Sequence, residues 1–340
     1  MKRKSFWAGG LVLALGFVAA AGLANAAESA GVERPGYRYY EIGDLKAARP
    51  GKTEAAMLLM GGGDWVPEAF HWWVERAGHG RIVILRASGD DNMQNELYND
   101  IGGVTAVQTL VFDSRQAADD PEVLRMVREA DGIFLAGGDQ SRYIRFWKGT
   151  GLNALLDAHV RAGKPIGGTS AGLAVLGRHA YGALDGGSVD SRTALNDPMG
   201  SEVTMDTGFL DMPYLANVVT DTHFARRDRL GRLVAFVARA AHETGRNDIV
   251  GIGVDEDAAL CVEADGRGRV LALGDGYAWL LMPRKPAENL SAGQPLDFSS
   301  VPVIGVGKGS RLQLDGFKVE DAAFTAVASV VDGELALRPQ

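Results

Sequence analysis

At Gly167-Gly168-Thr169-Ser170-Ala171-Gly172 the chain passes from a short strand-like run, 164–166, into an apolar stretch with helical character, 173–176. A strand, a Gly-flanked turn and a helix in this order hold one serine on a sharp bend, with its Oγ clear of the backbone and beside free amides. Glycines are expected on both sides because such a turn brings backbone segments too close for a Cβ. Ser170 is therefore the first candidate for a reactive residue.

Strand-like and helix-like runs alternate before this turn. We predict strands at 55–60, 81–86, within 104–112 and at 132–136, and helices at 68–77, 121–130 and 152–162. Short apolar strands separated by helices predict an α/β fold of three αβα layers, with a mainly parallel sheet in the middle. Glycine-rich turns follow Met60, Ala136 and Ile166. Because ligands bind at the carboxyl ends of such strands, we expect these three turns to border one active site.

The two ends of the chain differ from this α/β centre. Residues 1–26 combine a basic start, an uncharged apolar stretch and the small-residue box Ala24-Asn25-Ala26, which predicts an export signal and a secreted or periplasmic protein. Cleavage is favoured, and a retained anchor is the alternative because the apolar stretch could span a bilayer. We predict an α/β domain at 27–285 that carries the reactive residues, and a β-rich C-terminal extension at 286–340 packed on it.

Composition excludes several classes of partner and cofactor. The net charge of −8 argues against a nucleic-acid partner. Cys261 is the only cysteine, so no intrachain disulfide can form. No metal-ligand spacing stands out, and the 61–63 glycine run lacks the later glycine of a dinucleotide-binding loop. We therefore predict no metal, no cofactor and, after signal cleavage, no membrane contact.

A base for Ser170 is sought among six histidines. His223 differs from the others because it follows an apolar strand-like run, 216–220, and so lies at a strand end, where a neutral imidazole could take the serine proton. Three acids, Asp255, Glu256 and Asp257, follow another strand-like run and are candidates to orient that imidazole. Sequence spacing does not choose among them.

Arginines are concentrated in the helix that follows His223. Arg227, Arg229 and Arg232 border its apolar stripe. Such a cluster is usually a solvated basic face. Here the cluster lies in an acidic protein and next to the candidate base, which favours a patch that binds carboxylates. Guanidinium groups suit this role because they pair with carboxylates in a bidentate manner.

Four motifs together resemble the cyanophycinase family. They are, in the order of that family, Ala136-Gly137-Gly138-Asp139-Gln140, Gly168-Thr169-Ser170-Ala171-Gly172, Asp221-Thr222-His223-Phe224 with the three arginines, and Gly253-Val254-Asp255-Glu256. The resemblance spans roughly 55–262. The family is grouped with the aspartyl dipeptidases (peptidase E) as serine peptidases on a class I glutamine-amidotransferase-like fold.

The resemblance implies a role for each matching position. Ser170 would be the nucleophile, His223 the general base and Glu256 the orienting acid, and the amides of Gly138 and Ala171 would form the oxyanion hole. The positions that match the family's substrate site are Gln140, Asp221, Thr222, Arg227, Arg229 and Arg232. The implied substrate is cyanophycin, an aspartate polymer with arginine branches, cut from its end into β-aspartyl-arginine dipeptides, and the implied assembly is a homodimer.

One departure and two alternatives remain open. Thr222 stands where cyanophycinase has glutamine, which puts strict specificity for cyanophycin in doubt and leaves other β-aspartyl or acidic peptides as substrates. Gly168-x-Ser170-x-Gly172 also fits an α/β-hydrolase-type esterase, but the chain order Ser, His, acid is not that of the class, which would need His242 as base. A non-catalytic binding protein on the same fold is the third interpretation.

Overall fold

The computed structural model describes residues 31–340. The predicted export segment, 1–26, lies outside the described residues. Within 31–340, no helix combines the length and the apolar character needed to cross a membrane.

Strands and helices alternate in the first two thirds of this range, and strands dominate the last third. The strands are β1 Val32–Arg34, β2 Tyr37–Gly43, β3 Ala56–Met60, β4 Arg81–Arg86, β5 Ala106–Phe112, β6 Gly132–Leu135, β7 Ile166–Thr169, β8 His179–Tyr181, β9 Met205–Thr207, β10 Val218–Asp221, β11 Val250–Val254, β12 Ala258–Glu263, β13 Arg267–Ala272, β14 Ala278–Leu281, β15 Phe298–Val306, β16 Arg311–Gln313, β17 Lys318–Glu320, β18 Phe324–Val331 and β19 Glu334–Pro339. The helices are α1 Pro67–Arg76, α2 Asn92–Asn95, α3 Pro121–Glu129, α4 Gln140–Trp147, α5 Gly151–Arg161, α6 Ala171–Ala174, α7 Ser191–Asn196 and α8 Leu230–Thr244, with a π-helical segment Glu96–Ile101 and a 3₁₀ turn Gln116–Asp119.

Local side chains fix where several helices begin and end. The Asp120 carboxylate accepts hydrogen bonds from two amides of the first turn of α3, and Pro121 follows as its first residue. Asp139 caps α4 in the same way through the amide of Ser141. Helix α8 ends at Gly245, whose left-handed backbone is the usual helix terminator.

The first sheet has eleven strands in the order β1-β2-β5-β4-β6-β7-β3-β12-β13-β16-β17. Its central strands, β5-β4-β6-β7-β3, are parallel, and the strands on either side of them are antiparallel. Helices α3, α4 and α5 pack on one face through a large apolar cluster. Helix α1 covers the other face with Phe70 and Trp73. The predicted three-layer α/β fold is confirmed.

The second sheet has eight strands in the order β19-β18-β15-β14-β11-β10-β8-β9, and helix α8 packs on it through a separate apolar cluster. The C-terminal region is β-rich, as predicted, and its strands enter both sheets. The sequence pattern does not predict this second sheet, because an apolar run indicates a strand but not the sheet that the strand joins. The domain boundary at 285 stays a prediction.

Candidate active site

Ser170 lies on the bend between β7 and the single turn of α6. Its backbone has φ 52° and ψ −120°, a conformation that residues with a Cβ rarely adopt. The bend is tight: a Cβ on Gly172 would lie 2.0 Å from the carbonyl oxygen of Leu135 at the end of β6. The strained backbone and the adjoining glycine place the partly buried serine on the sharp bend that the sequence predicted.

A chain of hydrogen bonds links Ser170 to His223 and Glu256. Ser170 Oγ lies 2.7 Å from His223 Nε2, and His223 Nδ1 lies 2.6 Å from Glu256 Oε1. Because a carboxylate accepts, the imidazole donates through Nδ1–H and Nε2 accepts from the serine hydroxyl. The serine comes from the first sheet, whereas His223 and Glu256 follow β10 and β11 of the second.

The electrostatic surroundings keep His223 neutral. Burial is the largest influence and lowers the pKa of His223 below its usual 6.5. The hydrogen bond to Glu256 opposes this shift, and the nearby charges of Arg227 and Arg229 add to it. A neutral imidazole at neutral pH is the form that accepts a proton.

The three acids after β11 have different partners. The Asp255 carboxylate accepts hydrogen bonds from the amides of Ala225 (2.9 Å) and Tyr277 (3.0 Å) and from the Trp279 indole (3.1 Å). Asp257 accepts from the amide of Asp64 at 2.6 Å. Of the three acids, only Glu256 contacts His223. The sequence spacing did not select one acid as the partner of the imidazole, whereas the folded backbone of this loop brings only Glu256 to it.

The two amides predicted to form an oxyanion hole lie on turns that meet at Ser170. Ala171 is the first residue of α6. Gly138 directly follows Gly137, and a Cβ on Gly137 would lie 3.3 Å from the Ser170 Cβ. Within residues 31–340, neither amide donates a hydrogen bond to another protein group. Both are therefore available to a developing oxyanion.

Gly62 contributes to the site in a way that sequence reasoning missed. It has φ 106°, and a Cβ there would lie 2.2 Å from Cε1 of His223. The preceding carbonyl of Gly61 accepts the His223 amide at 2.7 Å. The glycine run after a predicted strand was the available signal, but the sequence did not show that a histidine ring would pack against it.

Asp221 and Arg232 lie in the protein interior, and the structure does not bring them to the cleft beside Ser170. Their side chains are 2% and 3% exposed, and the Arg232 guanidinium pairs with both Asp221 oxygens, with Nε to Oδ2 at 2.8 Å. The same guanidinium lies over the rings of Tyr181 and Phe236. Arg232 Nη1 also donates to the Val189 carbonyl at 3.1 Å, so these contacts hold the pair in the interior.

Thr222 and Arg229 are also buried. Nη1 of Arg229 donates to the Thr222 carbonyl at 2.8 Å and to its hydroxyl at 3.1 Å. Burial lowers the pKa of Arg229 to about 10. The departure at Thr222 therefore provides an internal contact for Arg229, rather than a hydroxyl that faces the cleft.

Arg227 and Gln140 are nearer to solvent. The Arg227 side chain is 52% exposed, with its Nε 3.9 Å from Glu256. Gln140 is partly buried at the first position of α4, directly after the cap Asp139. Of the six predicted substrate residues, these two have the greatest freedom to meet a ligand.

Ser170 opens into a cleft of about 320 Å³. The glycine turns around Gly62 and Gly137 line it, together with the end of β4 and residues that follow that strand. The lining residues are Gly62, Gly63, Arg86, Asp90, Asn92, Met93, Glu96, Ala136, Gly137, Thr169, Ser170 and His223.

The other histidines have different surroundings. His159 contacts the Pro165 carbonyl, His179 the Thr207 hydroxyl, and His242 lines a separate cavity near the end of α8. The structure does not bring His242 into contact with Ser170, as the esterase interpretation would require.

The chain is similar in sequence to a known peptidase family and to several curated proteins. Residues 95–267 match Peptidase family S51. The cyanophycinase of Synechococcus elongatus is 38% identical over 206 residues, which cover 59% of this chain and 58% of that protein. The match therefore spans less than two thirds of the relative's length. The cyanophycinase of Trichormus variabilis is 30% identical over 284 residues, 79% of this chain and 89% of that protein.

A solved structure, a peptidase from an acI-B1 Actinobacterium, is similar with a TM-score of 0.47 and 20% identity, over 72% of this chain and 97% of that one. The family match covers half of the chain, and the Trichormus alignment covers most of both proteins. The resemblance predicted from the four motifs is confirmed, and the chain belongs to peptidase family S51.

Proposed function

We propose that the protein is an exported serine exopeptidase that hydrolyses cyanophycin or related β-aspartyl and acidic peptides. The observation that supports this most directly is the hydrogen-bonded series Ser170–His223–Glu256, with contacts of 2.7 and 2.6 Å, in a member of family S51. The substrate class is proposed because the relatives named above are cyanophycinases.

In the first step, Ser170 Oγ attacks the scissile carbonyl carbon while His223 Nε2 takes the hydroxyl proton. The carbonyl oxygen becomes an oxyanion that accepts hydrogen bonds from the amides of Gly138 and Ala171. The Glu256 carboxylate stabilises the imidazolium through Nδ1–H. His223 then donates its proton to the leaving amine, and an acyl-enzyme on Ser170 remains.

In the second step, water replaces the amine. The water oxygen attacks the ester carbon while His223 takes one proton from the water. When the tetrahedral intermediate collapses, His223 returns that proton to Ser170 Oγ. The products are the restored serine and a carboxylic acid, which loses its proton to solvent at neutral pH and becomes a carboxylate.

Export is proposed from residues 1–26 alone. Cleavage after Ala26 gives a mature chain that begins at Ala27. Intact-mass measurement on protein from the periplasm or medium of an expressing cell checks this. Recovery of the full-length chain in the membrane fraction would instead support a retained anchor.

The catalytic proposal is tested by incubation with insoluble cyanophycin, β-aspartyl peptides and simple esters, with mass spectrometry of the products. We expect dipeptide release by the wild type and none by Ser170→Ala. A serine-directed phosphonate should label the wild type alone. Ester turnover without peptide release would favour an esterase, and a folded protein that is neither labelled nor active would favour a binding protein.

A further inference from the structure

Arg86 lines the same cleft as Ser170. It is the last residue of β4 and is partly buried. The turn after β4 continues to Ser88, whose Oγ would lie 2.6 Å from a Cβ on Gly138. Arg86 and its turn are therefore next to one of the two amides proposed for the oxyanion hole.

The charge of Arg86 is not paired within residues 31–340. Its Nε donates to the Ser88 carbonyl at 2.6 Å and its Nη1 to the Asp90 carbonyl at 2.8 Å. A guanidinium has five N–H donors, and these two contacts use one on Nε and one on Nη1, so three donors have no protein acceptor among the described residues.

The acids of the same cleft have other partners. The Asp90 carboxylate accepts from the amide and side chain of Asn92, and the Glu96 carboxylate accepts from the Trp65 indole. Neither approaches Arg86 closely enough to form an ion pair.

The turn that carries Arg86 is held from two further sides. Arg38 Nη2 donates to the Gly89 carbonyl at 3.0 Å, and Arg142 Nη1 to the Ala87 carbonyl at 3.1 Å. The guanidinium of Arg86 therefore has a fixed position before any ligand binds, which reduces the entropy cost of binding.

We propose that Arg86 binds a substrate carboxylate beside the bond that Ser170 attacks and thereby selects acidic substrates. This inference rests on the proposed function. Two substrate sources share the chemistry: the α-carboxylate of a branch arginine in cyanophycin, and the side-chain carboxylate of an aspartyl peptide. Arginine suits either because its planar fork pairs with a carboxylate in a bidentate manner.

Two matched substrate pairs test it. The first pair is a cyanophycin fragment of two β-aspartyl-arginine units and the same fragment with agmatine in place of arginine; agmatine lacks the α-carboxylate. The second pair is an aspartyl peptide and its asparaginyl analogue. We expect Arg86→Gln to lower kcat/KM roughly 10–100-fold on the carboxylate-bearing member, mainly through KM, and less than about 2-fold on the neutral one. The pair that shows the difference identifies the source of the carboxylate.

Arg38→Gln is the matched control, because it removes another guanidinium that donates to the same turn, and Arg38 does not line the cleft. Any decrease in kcat/KM that Arg38→Gln causes should be the same for the two substrates of each pair. Equal losses within both pairs for Arg86→Gln would show that Arg86 only holds the turn, and would overturn the inference while the proposed function stands.

Binding measurements separate the two proposals if the wild type cleaves none of these peptides. Calorimetry would then compare Ser170→Ala with Ser170→Ala/Arg86→Gln. Weaker binding of only the carboxylate-bearing peptides to the double variant would support the inference although the proposed function had failed. Identical binding by both variants would refute both.

Discussion

At the scale of single residues, the three acids after β11 differ in the groups that they contact. Glu256 contacts His223 while its neighbours, Asp255 and Asp257, accept backbone amides. Of three adjacent acids, one thus contacts the proposed base and two accept hydrogen bonds from backbone amides.

Loss of the Glu256 charge should affect catalysis more than folding. Glu256→Gln keeps the shape but not the charge that stabilises the imidazolium, so we expect kcat to fall roughly 10³–10⁴-fold. Asp275→Asn removes an exposed charge from the cavity next to Glu256 and should change kcat less than about 2-fold. Comparable losses in the two variants would argue against a specific role for Glu256.

The acid limb of activity should lie below pH 6.5. Burial lowers the pKa of His223, and only neutral His223 accepts the serine proton, so activity is retained until the pH falls through that lowered value. The measurement is kcat/KM against pH. A midpoint above 6.5 would mean that Glu256 outweighs burial.

Gly62 should tolerate no side chain, although it takes no part in the chemistry. In Gly62→Ala the new Cβ would lie 2.2 Å from His223 Cε1, so the ring must move and kcat should fall at least about 100-fold. Gly186 also has a positive φ, 91°, but has nothing within 4 Å of its Cβ position. Gly186→Ala should therefore cost some stability and leave kcat unchanged; an active Gly62→Ala variant would contradict the argument.

At the scale of elements, α5 is fastened to the start of β7 by a histidine. His159 Nε2 lies 3.0 Å from the Pro165 carbonyl, which immediately precedes the strand that leads to Ser170. Burial lowers the pKa of His159 to about 4. The folded protein therefore holds this imidazole neutral, as a donor.

This contact should make stability depend on pH. Between pH 6.5 and about 4 the unfolded chain binds a proton at His159 that the folded protein does not, so stability falls as the pH decreases through this window. The contribution is roughly 3 kcal/mol between pH 7 and 4. Urea unfolding at both pH values should show a smaller decrease for His159→Gln than for the wild type, whereas exposed His71→Gln should behave like the wild type.

Local pattern predicted the elements well and their partners less well. The predicted strand at 55–60 is β3, and the predicted helix at 68–77 is α1, because apolar runs between glycines define such elements locally. The interpretation of the arginines as a carboxylate patch did not foresee that Arg232 pairs with Asp221, since pairing between a helix and a strand depends on packing. The role of Gly62 depends on packing in the same way.

At the scale of the whole molecule, the two sheets form one structure around the site. The loop 255–257 leaves β11 in the second sheet and enters β12 in the first. The C-terminal strands β15 and β18 extend the second sheet beyond β14, the neighbour of β11. The sheet that positions His223 and Glu256 therefore includes strands from the last part of the chain.

Removal of residues 298–340 should prevent stable folding. It deletes buried Phe298, Val301, Val303 and Val330, together worth roughly 6–12 kcal/mol, which is comparable with the whole stability of a domain. Removal of 334–340 takes away only the mostly exposed edge strand β19 and should leave a folded, active enzyme. Circular dichroism and thermal unfolding measure both. A folded, active 1–297 chain would show that the extension is dispensable.

The position of the three linked residues on two sheets also sets the order in which activity can arise. Ser170 and its glycine turns belong to the sheet whose parallel strands are complete by residue 169, whereas His223 and Glu256 lie beyond it in the chain. A chain that has folded only those parallel strands holds the Ser170 hydroxyl without the proposed base beside it. A nascent chain that has not yet reached residue 256 therefore cannot form the complete hydrogen-bonded series Ser170–His223–Glu256 that is proposed for hydrolysis.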